Sequence, residues 1–213
     1  MIEYVLFDLD GTLTDSAPGI LNSIEYALNK KNLKYSSREE LRRFLGPPLT
    51  ESFMEYFNLS FEESYDTVMC FREYFSEKGI FENEVYDGIK DLLENTEKKF
   101  ALATAKPEHF AKRILEHFDL IKHFDVVCGS PPEEKDCPKS EIIERALKEL
   151  GVCDKTKAVM VGDRKYDAKG AHDAGLKAVG VLYGYGSKQE LKEAKFDFIA
   201  KDVNELKHIL NSI

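Results

Sequence analysis

Between residues 100 and 181 the chain repeats one pattern, a four-residue apolar run followed by a stretch whose apolar side chains recur with helical period. The runs fall at Phe100–Ala103, Asp125–Cys128, Ala158–Val161 and Ala178–Val181, and the helical stretches between them at Pro107–His117, Ser140–Leu150 and Lys165–Ala174. A run that does not alternate with polar residues is buried on both faces, as in a parallel sheet covered by helices, and parallel neighbours need helical crossovers. The same kind of run opens the chain, Tyr4-Val5-Leu6-Phe7, and a shorter one, Phe196–Ile199, precedes a last helix from Asp202. The spacing predicts an α/β fold with a Rossmann-like, doubly wound parallel sheet.

A segment of different character separates the first strand from the rest. From Ser16 to about Lys78 the period is 3.6 throughout, and Ile20, Leu21, Ile24, Ala27 and Leu28 form one stripe behind Ser16 as N-cap and Pro18 in the first turn. Ser37-x-x-Glu40 and Ser60-x-x-Glu63 fit the capping box, so each is expected to open a helix, ended by Gly46 and by Gly79 respectively. Phe53, Tyr56, Phe57, Phe71, Tyr74 and Phe75 recur at helical spacing and read as the core of this segment. The expected organisation is an α/β core domain from residues 1–14 and 84–213, with an all-helical domain of about four helices, residues 15–83, inserted after the first strand. Ligands of open α/β sheets bind beyond the carboxyl ends of the strands, so an insert leaving there is expected to form a helical lid over the site.

Composition narrows the partners. With 30 Lys+Arg against 39 Asp+Glu the net charge is −9, the wrong sign for binding a phosphate backbone through a basic surface, and nucleic acid is not an expected partner. No run approaches the ~18 apolar residues of a membrane span. The opening MIEYVLFDLD lacks the basic start and longer apolar core of a signal peptide. Cys70, Cys128, Cys137 and Cys153 stand too far apart for a Cys-x-x-Cys pair, and a chain of 213 residues can fold without disulfide staples. A reduced, cytoplasmic protein, monomer or homodimer, is expected.

The residues that follow each predicted strand are Asp8 and Asp10 after the first, Thr104 after the next, and Asp163 with Asp167 after Val159-Met160-Val161, while Lys139 precedes a helix in between. Parallel strands bring these positions to one edge. Carboxylates gathered there repel unless a cation is shared or protons are taken up. Hard oxygen ligands without a His or Cys cluster select Mg2+ over zinc, and Mg2+ on one or two carboxylates keeps places for substrate phosphate oxygens. The chemistry implied is phosphoryl transfer. Asp8 supplies a carboxylate nucleophile at the end of a buried strand, and Asp10, on a turn started by Gly11, an acid and base. Thr104 and backbone N–H groups at Gly11 and Ala105 supply phosphate donors, and Lys139 a compact cation.

The run DLDGTLTDS at 8–16, Thr104, Lys139 and the run GDRKYD at 162–167 resemble, in order and spacing over nearly the whole chain, the motifs of the haloacid dehalogenase superfamily, in its phosphoglycolate phosphatase-like branch with a helical cap. The resemblance implies an Mg2+-dependent phosphatase that hydrolyses a small, phosphoglycolate-like metabolite through an aspartyl-phosphate on Asp8, with Asp10 as acid and base. It implies phosphate binding by Thr104 and Lys139, Mg2+ held by the side chains of Asp8 and Asp163 and the backbone carbonyl of Asp10, and Asp167 as a support behind the metal. Dehalogenases and phosphonatases of the family lack an Asp two residues after the nucleophile, so Asp10 implies transfer from oxygen. Ala105 departs from the pattern, where relatives often carry Asn, and so does Arg164, which adds a cation near the metal. The stretch Arg43-Phe44-Leu45-Gly46-Pro47-Pro48-Leu49 looks like the family's Gly-Pro-Pro-Leu loop, making Arg43, Gly46 and Pro47 candidate substrate contacts.

A nucleoside monophosphate 5′-nucleotidase and a sugar-phosphate mutase are alternatives within the same superfamily. A phospho-accepting switch domain uses similar residues, but carries its Asp on an internal strand without a helical insert after the first. Gly184-x-Gly186 follows a strand yet lacks the third glycine of a dinucleotide fingerprint, and reads as a structural turn.

Overall fold

The computed structural model describes residues 1–131 and 137–213. These divide into two compact units, Met1–Asp15 with Val85–Ile213, and Ser16–Glu84. In the first unit β1 (Tyr4–Phe7), β2 (Lys99–Pro107), β3 (Val126–Ser130), β4 (Ala158–Gly162), β5 (Lys177–Val181) and β6 (Phe198–Ala200) form a six-stranded sheet in the order β3-β2-β1-β4-β5-β6. Every neighbouring pair is parallel. This is the doubly wound order, and its direction reverses between β1 and β4, where such sheets open a crevice for ligands. The strands are apolar throughout because both faces are covered: Val5, Leu6, Phe7, Val159, Met160 and Val161 are fully buried.

The second unit contains α1 (Ala17–Lys30), α2 (Leu49–Phe57) and α3 (Phe61–Glu77). In α1 Ile20, Leu21, Ile24, Ala27 and Leu28 are buried, and Pro18 sits in the first turn; Ser16 holds the N-cap position, but its hydroxyl does not cap the helix. The capping box at α3 is complete, with the Ser60 hydroxyl accepting from the Glu63 N–H and the Glu63 carboxylate from the Ser60 N–H. The other expected box fails: Arg38–Phe44 winds as a 3-10 helix, without a cap from the Ser37 side chain. Leu45 is already extended, and Gly46, which precedes Pro47, stands outside the helical region at a φ of +106°. Phe44 and Phe53 are buried with ring centroids 5.1 Å apart, and Phe71 stacks on Phe75 at 5.2 Å.

The sheet is flanked by α5 (Glu108–His117), α6 (Lys139–Glu149), α7 (Lys165–Asp173) and α9 (Val203–Ser212), with the shorter α4 (Ile89–Glu94) and α8 (Lys188–Glu193). α8 was outside the sequence expectation, although Ser187-x-x-Glu190 signals it: the Ser187 hydroxyl accepts from the Glu190 N–H at 3.1 Å. Side chains of a strand alternate between faces. Leu6 packs with Ile142, Ile143 and Ala146 of α6 and Ala168 and Ala171 of α7, while Phe7 meets Phe100 and Phe124 on the other side. Among the described residues no helix is long and apolar enough to cross a membrane.

Candidate active site

Register explains why the motif residues meet. Phe7 pairs with Leu102 on one side and Val161 on the other, so Asp8 stands level with Ala103 and Gly162, and Thr104 and Asp163 lie one residue further out. Asp8 has the parity of Leu6 and faces α6 and α7, where Lys139 is the first residue of α6 and Asp167 lies in the first turn of α7. The Lys139 ammonium lies 2.9 Å from Asp8 Oδ1 and 2.8 Å from Asp167 Oδ1. Carboxylate oxygens of Asp8, Asp163 and Asp167 fall within 4.8 Å of one another. Asp163 accepts from the Tyr185 N–H at 2.7 Å and the Thr12 hydroxyl at 3.4 Å. The second oxygen of Asp167 caps α7, accepting from the Arg164 N–H at 3.0 Å.

On the other flank of Asp8, Thr104 is buried and its oxygen accepts from the Lys106 N–H at 3.2 Å. The Lys106 ammonium is 2.8 Å from Asp10 Oδ2, and Asp10 Oδ1 is buried with no hydrogen-bond partner. Ala105 is exposed where the β2–β3 register shifts between Ala103 and Pro107, so the ladder is interrupted at its N–H.

The cluster holds more negative charge than its cations answer. Burial pushes the Asp163 carboxyl well above the usual carboxylate range, Asp167 and Asp8 add to the rise, and the Tyr185 N–H works against it. Burial also pushes Asp167 up, to about 6, against the pull of Lys139. Burial opposes the charge on Lys139, but Asp167 and Asp8 outweigh it and raise the ammonium's pKa. Both partners of the Lys139–Asp167 pair move upward for different reasons: burial, with Asp8 adding to it, raises Asp167 against the pull of Lys139, and the two carboxylates raise Lys139. Convergent carboxylate oxygens in excess over two ammonium groups, with an unpartnered buried oxygen on Asp10, fit a hard divalent cation such as Mg2+.

Two expectations need correction. The Gly11 N–H, expected as a phosphate donor, donates to Thr14 O at 2.8 Å instead. The turn closes on itself at a φ of +79°, and the glycine is needed for room: a Cβ there would stand 2.3 Å from Asp163 Oδ2. The Arg164 cation is matched, since its Nε lies 2.9 Å from Glu190 Oε1 on α8. The turn at Tyr183–Gly186 is structural, as read, but it is also packed on the site. A Cβ on Gly184 would be 2.2 Å from Gly11 O and 2.4 Å from Asp163 Cβ, the Tyr183 hydroxyl donates to Thr12 O at 3.1 Å, and the Tyr185 hydroxyl to Asp15 Oδ1 at 3.0 Å. Neither Lys106 nor Tyr185 was marked by the sequence; the available signal for Lys106 was its place two residues after Thr104 on one strand. Arg43, Gly46 and Pro47 belong to the helical unit, where the Arg43 guanidinium lies over the Tyr56 ring at 5.0 Å and Gly46 has a φ of +106°.

The family model described as haloacid dehalogenase-like hydrolase matches residues 5–181. The chain is 36% identical to a 5′-nucleotidase of Pseudomonas aeruginosa, over 98% of this chain and 95% of that one. It is 33% identical to the tyrosine-protein kinase PtkA of Mycobacterium tuberculosis, over 98% of this chain and 72% of that one. A phosphoglycolate phosphatase of Vibrio parahaemolyticus is 29% identical over 98% and 96% of the two chains. Among solved structures, a predicted phosphatase from Clostridium acetobutylicum superposes with a TM-score of 0.93 and 44% identity over the whole of both chains.

Proposed function

We propose that this chain, which belongs to the haloacid dehalogenase-like hydrolase family and is one of its phosphatases, hydrolyses a small, phosphoglycolate-like phosphate monoester with Mg2+ through an aspartyl-phosphate on Asp8. The observation that carries the reading is the Asp8 carboxylate at the end of β1, 2.9 Å from the buried Lys139 ammonium, with Asp10 two residues on. Asp8 attacks phosphorus, the bond to the leaving oxygen breaks, and that oxygen takes a proton from Asp10. Asp10 then takes a proton from the water that attacks the aspartyl-phosphate, and phosphate leaves with Asp8 restored. The Thr104 hydroxyl, the Ala105 N–H and the Lys139 ammonium face the equatorial oxygens, where charge must be held through the reaction. Mg2+ on the side chains of Asp8 and Asp163 and the backbone carbonyl of Asp10, with Asp167 behind them, would neutralise phosphate charge and orient the transferring group.

The helical unit is read as the cap of such enzymes, from its place in the sequence after β1, with Arg43, Gly46 and Pro47 as its substrate contacts. A cytoplasmic protein, monomer or homodimer, is part of the same reading, supported by four unpaired cysteines. A second reading, 5′-nucleotidase, is favoured by the 36% identical relative of that name.

The test is Mg2+-dependent phosphate release from phosphoglycolate, nucleoside monophosphates and sugar phosphates, with Asp8→Asn as control. A clear kcat/KM preference that the variant loses is expected. Turnover retained by Asp8→Asn overturns the mechanism, a preference for nucleoside monophosphates selects the second reading, and phosphate returned to a sugar rather than released indicates a mutase.

A further inference from the structure

Lys106 is a buried cation that the steps above leave unused. Its side chain is 8% exposed and its ammonium lies 2.8 Å from Asp10 Oδ2. It comes two residues after Thr104 at the outer end of β2, where the register shifts, and its own N–H donates to the Thr104 hydroxyl oxygen at 3.2 Å. With Thr104 beside the transferring phosphoryl group, Lys106 stands one step further out from the sheet edge, on the side of the leaving group. Its contact with Asp10 gives the same placement, because Asp10 has to reach the leaving oxygen.

The charges around the site make this position selective. Asp8, Asp10, Asp163 and Asp167 repel a substrate that brings a second anion. Lys139 is committed to Asp8 and Asp167, and Arg164 Nε to Glu190. The Lys106 ammonium lies against Asp10, and an ammonium has three N–H donors, so it can hold Asp10 and a second anion together. A carboxylate or phosphate arriving there gains a charge-assisted hydrogen bond out of water, which a neutral leaving group does not.

We propose that Lys106 is a specificity-determining residue, selecting phosphoryl compounds whose leaving group carries a negative charge of its own, carboxylate or phosphate, beside the bond that breaks. The inference rests on the phosphatase reading of Asp8 and Asp10.

The experiment compares kcat/KM for 2-phosphoglycolate, with a carboxylate, inorganic pyrophosphate, with a phosphate, and 2-hydroxyethyl phosphate, which is neutral at that end. The wild type is expected to prefer an anionic substrate. Lys106→Met slows all three, since Asp10 loses its partner, but lowers the anionic-to-neutral ratio by about 30-fold, chiefly through KM; Lys106→Arg keeps most of the ratio. A ratio that collapses for phosphoglycolate alone assigns the carboxylate, and for pyrophosphate alone the phosphate. Activity on the neutral ester shows that the variant is folded, and Lys106→Gln replaces Lys106→Met if the latter does not fold. An equal fall on all three substrates overturns the proposal and makes Lys106 a positioning residue for Asp10. A wild type without preference overturns it too, leaving the phosphatase reading intact. A wild type that hydrolyses none overturns both.

Discussion

In the helical unit Glu73 lies beside Lys30 with half of its side chain in water, and the hydrogen bond from Lys30 holds its carboxyl below the usual range. Glu40, bonded by the Tyr56 hydroxyl, is lowered in the same way. At the sheet edge Asp163 and Asp167 are buried, and both carboxyls rise. Asp167, like Glu73, has a lysine ammonium beside it, so what separates the two is burial first and the neighbouring Asp8 carboxylate second. Exposed, a carboxylate stays solvated and a nearby donor only favours its charge, at a gain that screening keeps small. Buried, it loses hydration, and three of them crowd one ammonium. The helical unit wears its charge as a solvated surface; the sheet edge holds charge that its own fold opposes, as a site for a cation and a phosphate requires.

Substitutions can break or sharpen this contrast. The largest effect is on chemistry: Asp8→Asn is expected to lower kcat by 10⁴-fold or more, on the order found when a nucleophile is removed, measured as phosphate release under saturating substrate. Next in size, Lys139→Met leaves the crowded carboxylates without their ammonium and should cost about 3–5 kcal/mol of stability, read from urea unfolding with EDTA present. A much smaller cost would mean that the carboxylates do not depend on Lys139.

Asp163→Asn should act in the opposite direction, stabilising the metal-free protein at neutral pH by about 1–3 kcal/mol while weakening Mg2+ binding. Its sign depends on pH. A carboxyl raised in the folded state binds its proton more tightly there than when unfolded, so its contribution to stability is present at low pH and is lost as pH rises above the unfolded value of about 4. Melts in EDTA at acid and neutral pH should therefore show the variant gaining on the wild type as pH increases. A gap that stays constant would remove Asp163 from the contrast. The smallest effect belongs to the helical unit, where Lys30→Ala should leave the melting midpoint unchanged within error, because the pair it breaks is exposed.

Much of this was legible in the sequence, for identifiable reasons. The sheet could be read because strands buried on both faces are continuous apolar runs, and the motif aspartates because each follows such a run directly. The 3-10 winding of Arg38–Phe44 was not legible because a capping box reports only how a helix begins, not how tightly it winds. Lys106 and Tyr185 were not marked because their parts depend on contacts with Asp10 and Asp163 that only the strand order creates. Glu190 is the same case: its pairing with Arg164 joins α8 to the start of α7 across 26 positions, and no local pattern reports it.

The close approach of Gly184 to Gly11 O and Asp163 Cβ also bears on how this chain can vary. Two backbones and a carboxylate are pressed together where even a methyl group has no space, so a mutational scan should show intolerance at glycines that touch no substrate and donate no proton. A library meant to change substrate range would lose most of its members there. Diversity is better placed at positions away from that contact.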